Sequence, residues 1–285
     1  MKKLIALVLS LLAVASLVAG CSSGKGTTVN SGEKSVTFSL LSSPASLDPA
    51  TTTDGHSLMV ETQLFSMLVE SKGGTSNEIK PDIAESWEIS EDGLTYTFKL
   101  RDDVYFHNGK LLTADDVVYT FNRVMTEPYT SYYAAPIKSV EATDEHTFVA
   151  HLNYPFADFL TLIGGIYFGI CCEEAITAGS DFMYKPVGTG PYKLEGGYIP
   201  GQAFKFVYND QYYGAEPDIK EINFKIQPDT NTAVISLQNG EVDFIPALTV
   251  NDIGTIENDE NLALYQAPSY TIHYVCFNKN NAPWN

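Results

Sequence analysis

Alternating apolar and polar residues recur in short runs along most of the chain. The runs lie at residues 36–41, 95–100, 147–152, 203–208, 221–226, 242–245 and 270–278. A period of two is typical of strands that bury one face, since successive side chains point to opposite faces of a sheet. The dipeptides Asp92-Gly93 and Asn108-Gly109 mark hairpin turns, because glycine adopts the positive φ that such turns require. The pattern predicts a chain rich in β-structure.

Four segments have apolar residues at helical spacing, and the pattern predicts a helix in each. They are residues 57–69, the segment that follows Thr113, residues 156–163 and residues 230–238. Thr113 and Asp116 have the spacing of a capping box, in which each side chain satisfies a free backbone amide of the other residue. Asp229 is expected to cap the last of these helices, which should end at Asn239-Gly240. The strands are therefore accompanied by a few helices.

The charge balance is strongly acidic and excludes one class of partner. The chain of 285 residues has 17 Lys and Arg against 35 Asp and Glu, a formal net charge of −18. A nucleic-acid binder needs basic patches that displace counterions from phosphates, so this class is excluded. A hydrophobic content of 44% with 12% aromatic residues is too high for a disordered chain. The length alone predicts one or two domains.

Residues 1–20 are predicted to be the signal peptide of a lipoprotein. Two lysines precede an uncharged apolar run at residues 4–18, which is too short to cross about 30 Å of hydrocarbon and suits a secretory signal. The run ends in Val18-Ala19-Gly20-Cys21, which resembles the lipobox of bacterial lipoproteins. This resemblance implies that Cys21 carries the lipid after cleavage; an ordinary signal peptide with a chance cysteine is the alternative. Residues 21–35 are predicted to be a flexible Ser/Gly/Thr tether.

No arrangement of nucleophiles, acids or metal ligands in the sequence indicates an enzyme. The five histidines show no HExxH spacing, and no GxSxG motif is present. Cys171, Cys172 and Cys276 lack the spacing of a zinc site. Either one of the adjacent cysteines forms a disulfide with Cys276, or all three are free thiols. Asp115 and Asp116 fit the first turn of a helix better than a catalytic pair. We therefore predict no enzyme activity, no cofactor and no metal site.

Several motifs, taken in their order along the chain, resemble those of one protein family. The motifs are Ser46-Leu47-Asp48-Pro49-Ala50, residues 79–87 (IKPDIAESW), 92–101 (DGLTYTFKLR), 106–110 (FHNGK), 113–121 (TADDVVYTF), 188–192 (GTGPY) and 239–243 (NGEVD), Phe277-Asn278 and Ala282-Pro283-Trp284. Together they resemble the extracellular solute-binding proteins of ABC importers, family 5, which is the oligopeptide, dipeptide and nickel type. Each motif alone is weak, but the ordered set is specific and extends from about residue 36 to the last residue.

The resemblance implies an α/β fold of the periplasmic-binding-protein type II, with two lobes around a cleft and an extra small α/β domain. It implies that residues 36–57 and 185–270 form the first lobe and that residues 58–184 form the extra domain. Residues 271–285 would begin a second lobe. Family members are much longer than this chain, so we expect a C-terminally truncated product or a partial sequence in which the second lobe is largely missing.

In function, the resemblance implies a substrate-binding lipoprotein that captures oligo- or dipeptides by cleft closure and delivers them to ABC permease subunits with their ATPases. Such a protein is expected to be a monomer, exported and lipid-anchored to the outer face of the cytoplasmic membrane, or on the periplasmic side in a two-membrane bacterium. The ligand-binding residues implied by the resemblance are Thr53, Asp54, Gly55, His56, Tyr129, Tyr167, Pro246 and Ala247.

Some alternatives stay open from the sequence. A nickel or metallophore ligand, which His56 would support, is the nearer one; a peptide sensor or adhesin without a transport role is the other. Asp54 could simply be an acid in a turn, and Tyr129 an exposed aromatic residue of a loop. Residues 188–192 are interpreted as a structural turn near the junction of the lobes. Because the second lobe usually supplies an acid for the ligand's amino terminus, we expect this chain alone to bind peptide weakly or not at all.

Overall fold

A computed structural model describes residues 34–71, 78–179, 181–267, 275–280 and 283. The predicted signal peptide, Cys21 and the tether up to residue 33 lie outside these residues, as does most of the segment 268–285. Within the described ranges, no helix is long and apolar enough to cross a membrane. These residues form a mixed α/β fold that contains two four-stranded sheets.

The first sheet combines strands from distant parts of the chain. Its order is β1 (Lys34–Leu40), β10 (Ile219–Ile226), β9 (Phe204–Tyr208) and β8 (Tyr192–Leu194). Strands β1 and β10 are parallel, whereas the other pairs are antiparallel. Helix α5 (Thr230–Gln238), which has the predicted bounds and the predicted cap Asp229, leads from β10 to Phe244. Phe244 forms a parallel bridge with Phe38 of β1, so β1 lies between β10 and Phe244.

Aromatic side chains of this sheet pack against helix α1 (Gly55–Glu61) and the segment that follows it. The alternation of β9 and β10 places Phe204 and Phe224 on one face, where their rings stack with centroids 4.6 Å apart. The buried members of this first core are Leu40, Leu47, Val60, Leu64, Phe65, Cys171, Phe182, Tyr192, Tyr198, Phe204, Phe206, Ile222 and Phe224.

The second sheet is antiparallel and comes from one continuous part of the chain. Its order is β4 (Ala84–Ile89), β5 (Thr95–Leu100), β7 (Thr147–Leu152) and β6 (Ile137–Asp144). Helix α2 (Ala114–Thr126) packs on it, and the ring of Phe121 lies 4.7 Å from that of Phe148. The predicted capping box of α2 is present. Gly93 and Gly109 have φ values of 68° and 84°, which confirms the two predicted turns.

Smaller elements complete the described chain. They are the paired strands β2 (Val69–Ser71) and β3 (Ile79–Pro81), helix α3 (Phe159–Ile163), a 3-10 helix (Ile166–Phe168), helix α4 (Glu173–Thr177) and helix α6 (Val250–Glu257). Of these, only α3 was predicted, and it begins at Phe159 rather than at residue 156.

Two predicted elements are corrected by the structure. The helix predicted at 57–69 ends at Glu61, because the carbonyl of Leu64 accepts the amide of Gly190 and that of Gln63 accepts the amide of Tyr192. These tertiary hydrogen bonds take carbonyl groups that a longer helix would use. The strand predicted at 242–245 is reduced to the single bridge at Phe244. Of the run predicted at 270–278, residues 275–278 have no regular structure and the others lie outside the described residues.

The two cores meet at a tight contact that we call the joint, formed by His107, Gly188 and Gly190. A Cβ atom on Gly188 would lie 2.1 Å from the carbonyl oxygen of Leu64, so no other residue fits there without a shift of the backbone. The backbone amide of His107 donates to the carbonyl of Gly188 at 2.9 Å, and its Nε2 lies 3.2 Å from the carbonyl oxygen of Gly190. The glycine-rich segment 188–192 thus has a packing role.

Candidate ligand-binding site

Parallel strands bring several of the predicted ligand-binding residues to one edge of the first sheet. Strands β1 and β10 and the bridge at Phe244 all run in the same direction, so their carboxyl ends share this edge. Pro246 and Ala247 follow Phe244 there, and Ser42 follows β1. The Nδ1 atom of His56 lies 3.0 Å from the Oγ of Ser42. In open α/β sheets this edge is the usual place for ligands.

Asp54 caps helix α1 with its side chain. One carboxylate oxygen accepts the amide of Ser57 at 3.0 Å, and the other accepts the hydroxyls of Thr52, at 2.7 Å, and of Ser57. Burial alone would raise the pKa of Asp54, but these hydrogen bonds outweigh it and hold the pKa below its usual value. Asp54 is therefore a fixed negative charge at a helix N-terminus, and a ligand that contacts it would compete with the cap.

Thr53 and Gly55, on either side of Asp54, are exposed. A Cβ atom added to Gly55 would meet nothing within 4 Å, so open space surrounds this backbone position. We call residues 48–56 the 48–56 loop, although the last two of them are the first residues of α1. Asp48, Ala50 and Thr52 are buried in it, whereas Thr53 and Gly55 are exposed. The loop can thus present backbone groups to a ligand while Asp54 holds its shape.

A buried ion pair anchors the beginning of the 48–56 loop. The guanidinium of Arg123, from α2, binds the carboxylate of Asp48 with two contacts, at 3.1 Å and 2.8 Å. The Asp48 side chain is only 6% exposed and that of Arg123 only 14%. The paired geometry is the strongest that Arg and a carboxylate can form. Sequence reasoning missed this pair, because 75 residues separate its members.

Glu61, at the end of α1, is fully buried and its carboxyl group has no hydrogen-bond partner among the described residues. Burial, with smaller contributions from Asp48 and Asp54, raises the pKa of Glu61 to about 9. The group is therefore a neutral acid at pH 7. We call Asp48, Glu61 and Arg123 the loop base. Glu61 occupies a position on the apolar face of an amphipathic helix, so its burial could have been predicted from the sequence.

The loop that carries Tyr129 lies directly against the 48–56 loop. The hydroxyl of Thr130 donates to the carbonyl of Ala50 at 3.3 Å, and Tyr129 itself is 59% exposed. Tyr167 belongs to the 3-10 helix and stacks on Tyr133, with ring centroids 4.1 Å apart and planes at 20°. Of the two tyrosines predicted for the site, Tyr129 therefore belongs to the loop that contacts the 48–56 loop, and Tyr167 packs on Tyr133 of that same loop.

Pro246 lines a cavity of about 390 Å³ beside helices α5 and α6. Its walls are mostly apolar and are formed by Leu237, Asp243, Phe244, Ile245, Pro246, Leu248, Ile253, Ile256, Asn261, Leu262, Ala263, Leu264, Tyr265 and Gln266. Ala247 is exposed and is not part of this wall. In the part of the chain that the structure describes, no group of three His, Cys, Asp or Glu side chains could hold a metal ion.

Comparison with known proteins gives one family. The family described as "Bacterial extracellular solute-binding proteins, family 5 Middle" matches residues 78–285. Heme-binding protein A of Haemophilus influenzae is 34% identical over 269 residues, which cover 85% of this chain and 49% of that protein. The dipeptide-binding protein of Escherichia coli is 31% identical over 277 residues, which cover 88% of this chain and 51% of that protein. The chain thus spans about half the length of the curated relatives it matches.

Solved structures match the fold as well. The ABC transporter-associated periplasmic binding protein DppA from Helicobacter pylori, in complex with the peptide STSA, has a TM-score of 0.74 and 30% sequence identity. The match covers 80% of this chain and 49% of that chain. The predicted fold class, a mixed α/β fold of the periplasmic-binding-protein type II, is confirmed by this and similar matches.

Proposed function

The chain belongs to the bacterial extracellular solute-binding proteins of family 5, and from this we propose that it captures peptides for an ABC importer. The observation that carries the proposal is the edge where β1, β10 and the Phe244 bridge end, with the 48–56 loop beside it. The relatives add support, since one is a dipeptide-binding protein and one was solved with a bound peptide. The captured peptide would pass to permease subunits and their ATPases.

In this proposal a lobe made of residues 36–57 and 185–270 carries the edge, and residues 58–184 form the extra domain. The two separate cores support such a division. Leu64, Phe65, Cys171 and Phe182 also pack in the first core, which favours an extra domain that begins a few residues after 57 and ends before 182. Capture would occur when a second lobe, beginning near residue 271, closes over the edge. Peptide backbone groups would bind the exposed backbone at Thr53 and Gly55, where α1 begins.

We further propose that Cys21 carries a lipid that anchors the exported protein, as a monomer, at the membrane. Two or more acyl chains hold a protein stably at a bilayer, whereas a single chain does not. Mass spectrometry of the protein purified from membranes would show the acyl groups on a peptide that begins at Cys21. A Cys21→Ser variant should move to the soluble fraction. If it stays in the membrane fraction, the anchor is elsewhere.

Peptide capture is tested by titrating the protein with peptides of two to five residues. NMR monitors the titration, because it detects binding even at millimolar affinity. A Gly55→Gln variant should weaken binding at least tenfold, because the new side chain occupies the open space at the 48–56 loop. Gly254→Gln is the matched control, since Gly254 is exposed, also has open space around it and lies away from this loop on α6.

Four results would change the proposal. Equal binding by wild type and Gly55→Gln would remove the 48–56 loop from the site. Absence of binding by every peptide at millimolar concentration would show that these residues do not capture peptide on their own, and micromolar binding would show that they need no second lobe. Thermal stabilisation by nickel with histidine, together with no effect of peptides, would favour the nickel or metallophore alternative.

A further inference from the structure

Three tyrosines form a continuous stack beside the 48–56 loop. The ring of Tyr132 lies 4.0 Å from that of Tyr133, and the ring of Tyr133 lies 4.1 Å from that of Tyr167, measured between centroids. We call Tyr132, Tyr133 and Tyr167 the tyrosine stack. Tyr167 is the inner end, packed against the second core, and Tyr132 is the outer end.

The outer ring is held in place although it is exposed. Tyr132 is 61% exposed, yet its ring packs on that of Tyr133, with the two planes at 34°. A hydrogen bond to the Tyr133 side chain, with a smaller contribution from burial, raises the pKa of Tyr132 to about 12. An exposed aromatic ring that is already fixed loses little conformational freedom when a ligand packs on it.

The stack is attached to the proposed ligand site by the loop that carries it. Thr130 hydrogen-bonds to Ala50 of the 48–56 loop, and Thr130 lies two residues before Tyr132. Tyr129, on the same loop, is also exposed. Tyr167, which the family resemblance suggested as a ligand contact, lies beneath Tyr133 and supports it. Of the three stacked rings, the one offered to a ligand is therefore Tyr132.

We propose that the open face of Tyr132 is a subsite for an aromatic side chain of the bound peptide. The inference rests on the proposed function and deepens it, because it names the kind of residue that the site prefers. Aromatic rings favour stacked or edge-to-face contact with centroids about 4.5–7 Å apart, and the rings within the stack pack even closer, at 4.0 Å and 4.1 Å. A fourth ring, from the ligand, would extend the stack outward.

The experiment compares three peptides on the full chain by NMR titration. Ala-Phe-Ala carries an aromatic ring, its cyclohexylalanine analogue has the same size without a π-system, and Ala-Lys-Ala carries a cation that could also face the ring. Wild type should bind Ala-Phe-Ala about 2- to 10-fold more tightly than the cyclohexylalanine peptide. Tyr132→Leu should abolish this preference, and Tyr132→Phe should retain it.

Tyr105→Leu is the matched control, because Tyr105 is an exposed tyrosine outside the stack and its loss should leave the preference unchanged. The fold of each variant is checked by circular dichroism. If wild type binds both apolar peptides equally, or if Tyr132→Leu keeps the preference, the aromatic subsite is wrong while peptide capture stands. Tighter binding of Ala-Lys-Ala than of the two apolar peptides would also contradict the aromatic subsite. If no peptide binds at millimolar concentration, this chain does not capture peptide on its own, and the subsite fails with it.

Discussion

The joint holds a half-buried histidine and the loop base a fully buried carboxylic acid, and the two regions treat these ionisable groups differently. At the joint, both ring nitrogens of His107 face backbone groups, with Nε2 at 3.2 Å from the Gly190 carbonyl and Nδ1 at 3.4 Å from the Gly188 amide. At the loop base, the Glu61 carboxyl has no partner among the described residues, whereas Asp48 and Arg123 beside it satisfy each other.

This difference in hydrogen bonding indicates different roles for the joint and the loop base. The joint fixes His107 as a neutral imidazole that accepts from Gly188 and donates to Gly190, so it works as a structural clamp between two cores. The loop base leaves a neutral acid with no hydrogen bond to any described residue under the loop proposed to contact ligand, although an unpaired buried polar group costs about 1–3 kcal/mol. Buried groups with strongly shifted pKa values cluster at functional sites.

The largest effect is expected from breaking the ion pair of the loop base. Arg123→Met removes the cation and leaves the buried carboxylate of Asp48 without its partner, which should lower the free energy of unfolding by about 3–5 kcal/mol. Urea unfolding followed by circular dichroism measures the loss. The double variant Asp48→Asn with Arg123→Met should recover part of it, because no buried charge remains. A single-variant loss below about 1 kcal/mol would show that the pair is solvated.

The second largest effect is expected at the joint, where a fall in pH should lower the free energy of unfolding through His107. Burial lowers the pKa of His107 to about 4, whereas an unfolded histidine has a pKa near 6.5. The unfolded state therefore binds a proton more readily, and His107 should cost stability as the pH falls from about 6.5 to 4. The loss reaches about 3 kcal/mol, since each pKa unit is worth about 1.4 kcal/mol.

The contribution of His107 is measured as the difference between wild type and His107→Gln in urea unfolding from pH 7.5 to 4.5. Because carboxylates also titrate there, only the difference between the two proteins is informative. His151→Gln is the control, since His151 is only partly buried and pairs with Glu141 on a sheet face. Parallel curves for wild type and His107→Gln would rule out a buried neutral histidine at the joint.

The smallest effect, about 2 kcal/mol between pH 7 and 8.5, is expected when the pH is raised and Glu61 of the loop base ionises. The pKa of Glu61 is about 9 in the folded protein against about 4.5 when unfolded, so its contribution is full below pH 4.5 and is lost as the pH rises toward 9. His107 makes the free energy of unfolding rise with pH, but only up to about pH 6.5. Above that pH, the ionisation of Glu61 should make the free energy of unfolding fall by about 1.4 kcal/mol per pH unit. Glu61→Gln resembles the protonated acid and should remove this slope between pH 7 and 8.5. A slope that survives in Glu61→Gln would have another origin.

Much of the second sheet was predictable because its signals are local. Strand β5, the turn at Gly93 and the capping box of α2 depend on residues within a few positions of one another, and all were predicted. The first sheet was harder. Helix α1 ends at Glu61 because Gly190 and Tyr192, far along the chain, bind the carbonyls that would continue it. No pattern near residue 61 carries that information.

The candidate site shows the same division between local and distant signals. The capping role of Asp54 follows from its spacing to Ser57 and could have been read from the sequence. The pairing of Asp48 with Arg123 and the contact of Tyr133 with Tyr167 bring together residues 75 and 34 positions apart. A single sequence does not contain these distances, so the tyrosine stack could be found only from the structure.

The parallel pairing of β1 with β10 has a consequence for the order in which the chain folds. Lys34 pairs with Ile219 and Leu40 with Ile226, so the first sheet is complete only when residues 34–226 are available. The second sheet needs only residues 84–152 and pairs neighbouring strands. Contacts between distant residues form slowly, because the intervening chain must first be closed into a loop. The second sheet should therefore fold first, and the edge proposed to bind ligand should be among the last parts of the molecule to take shape.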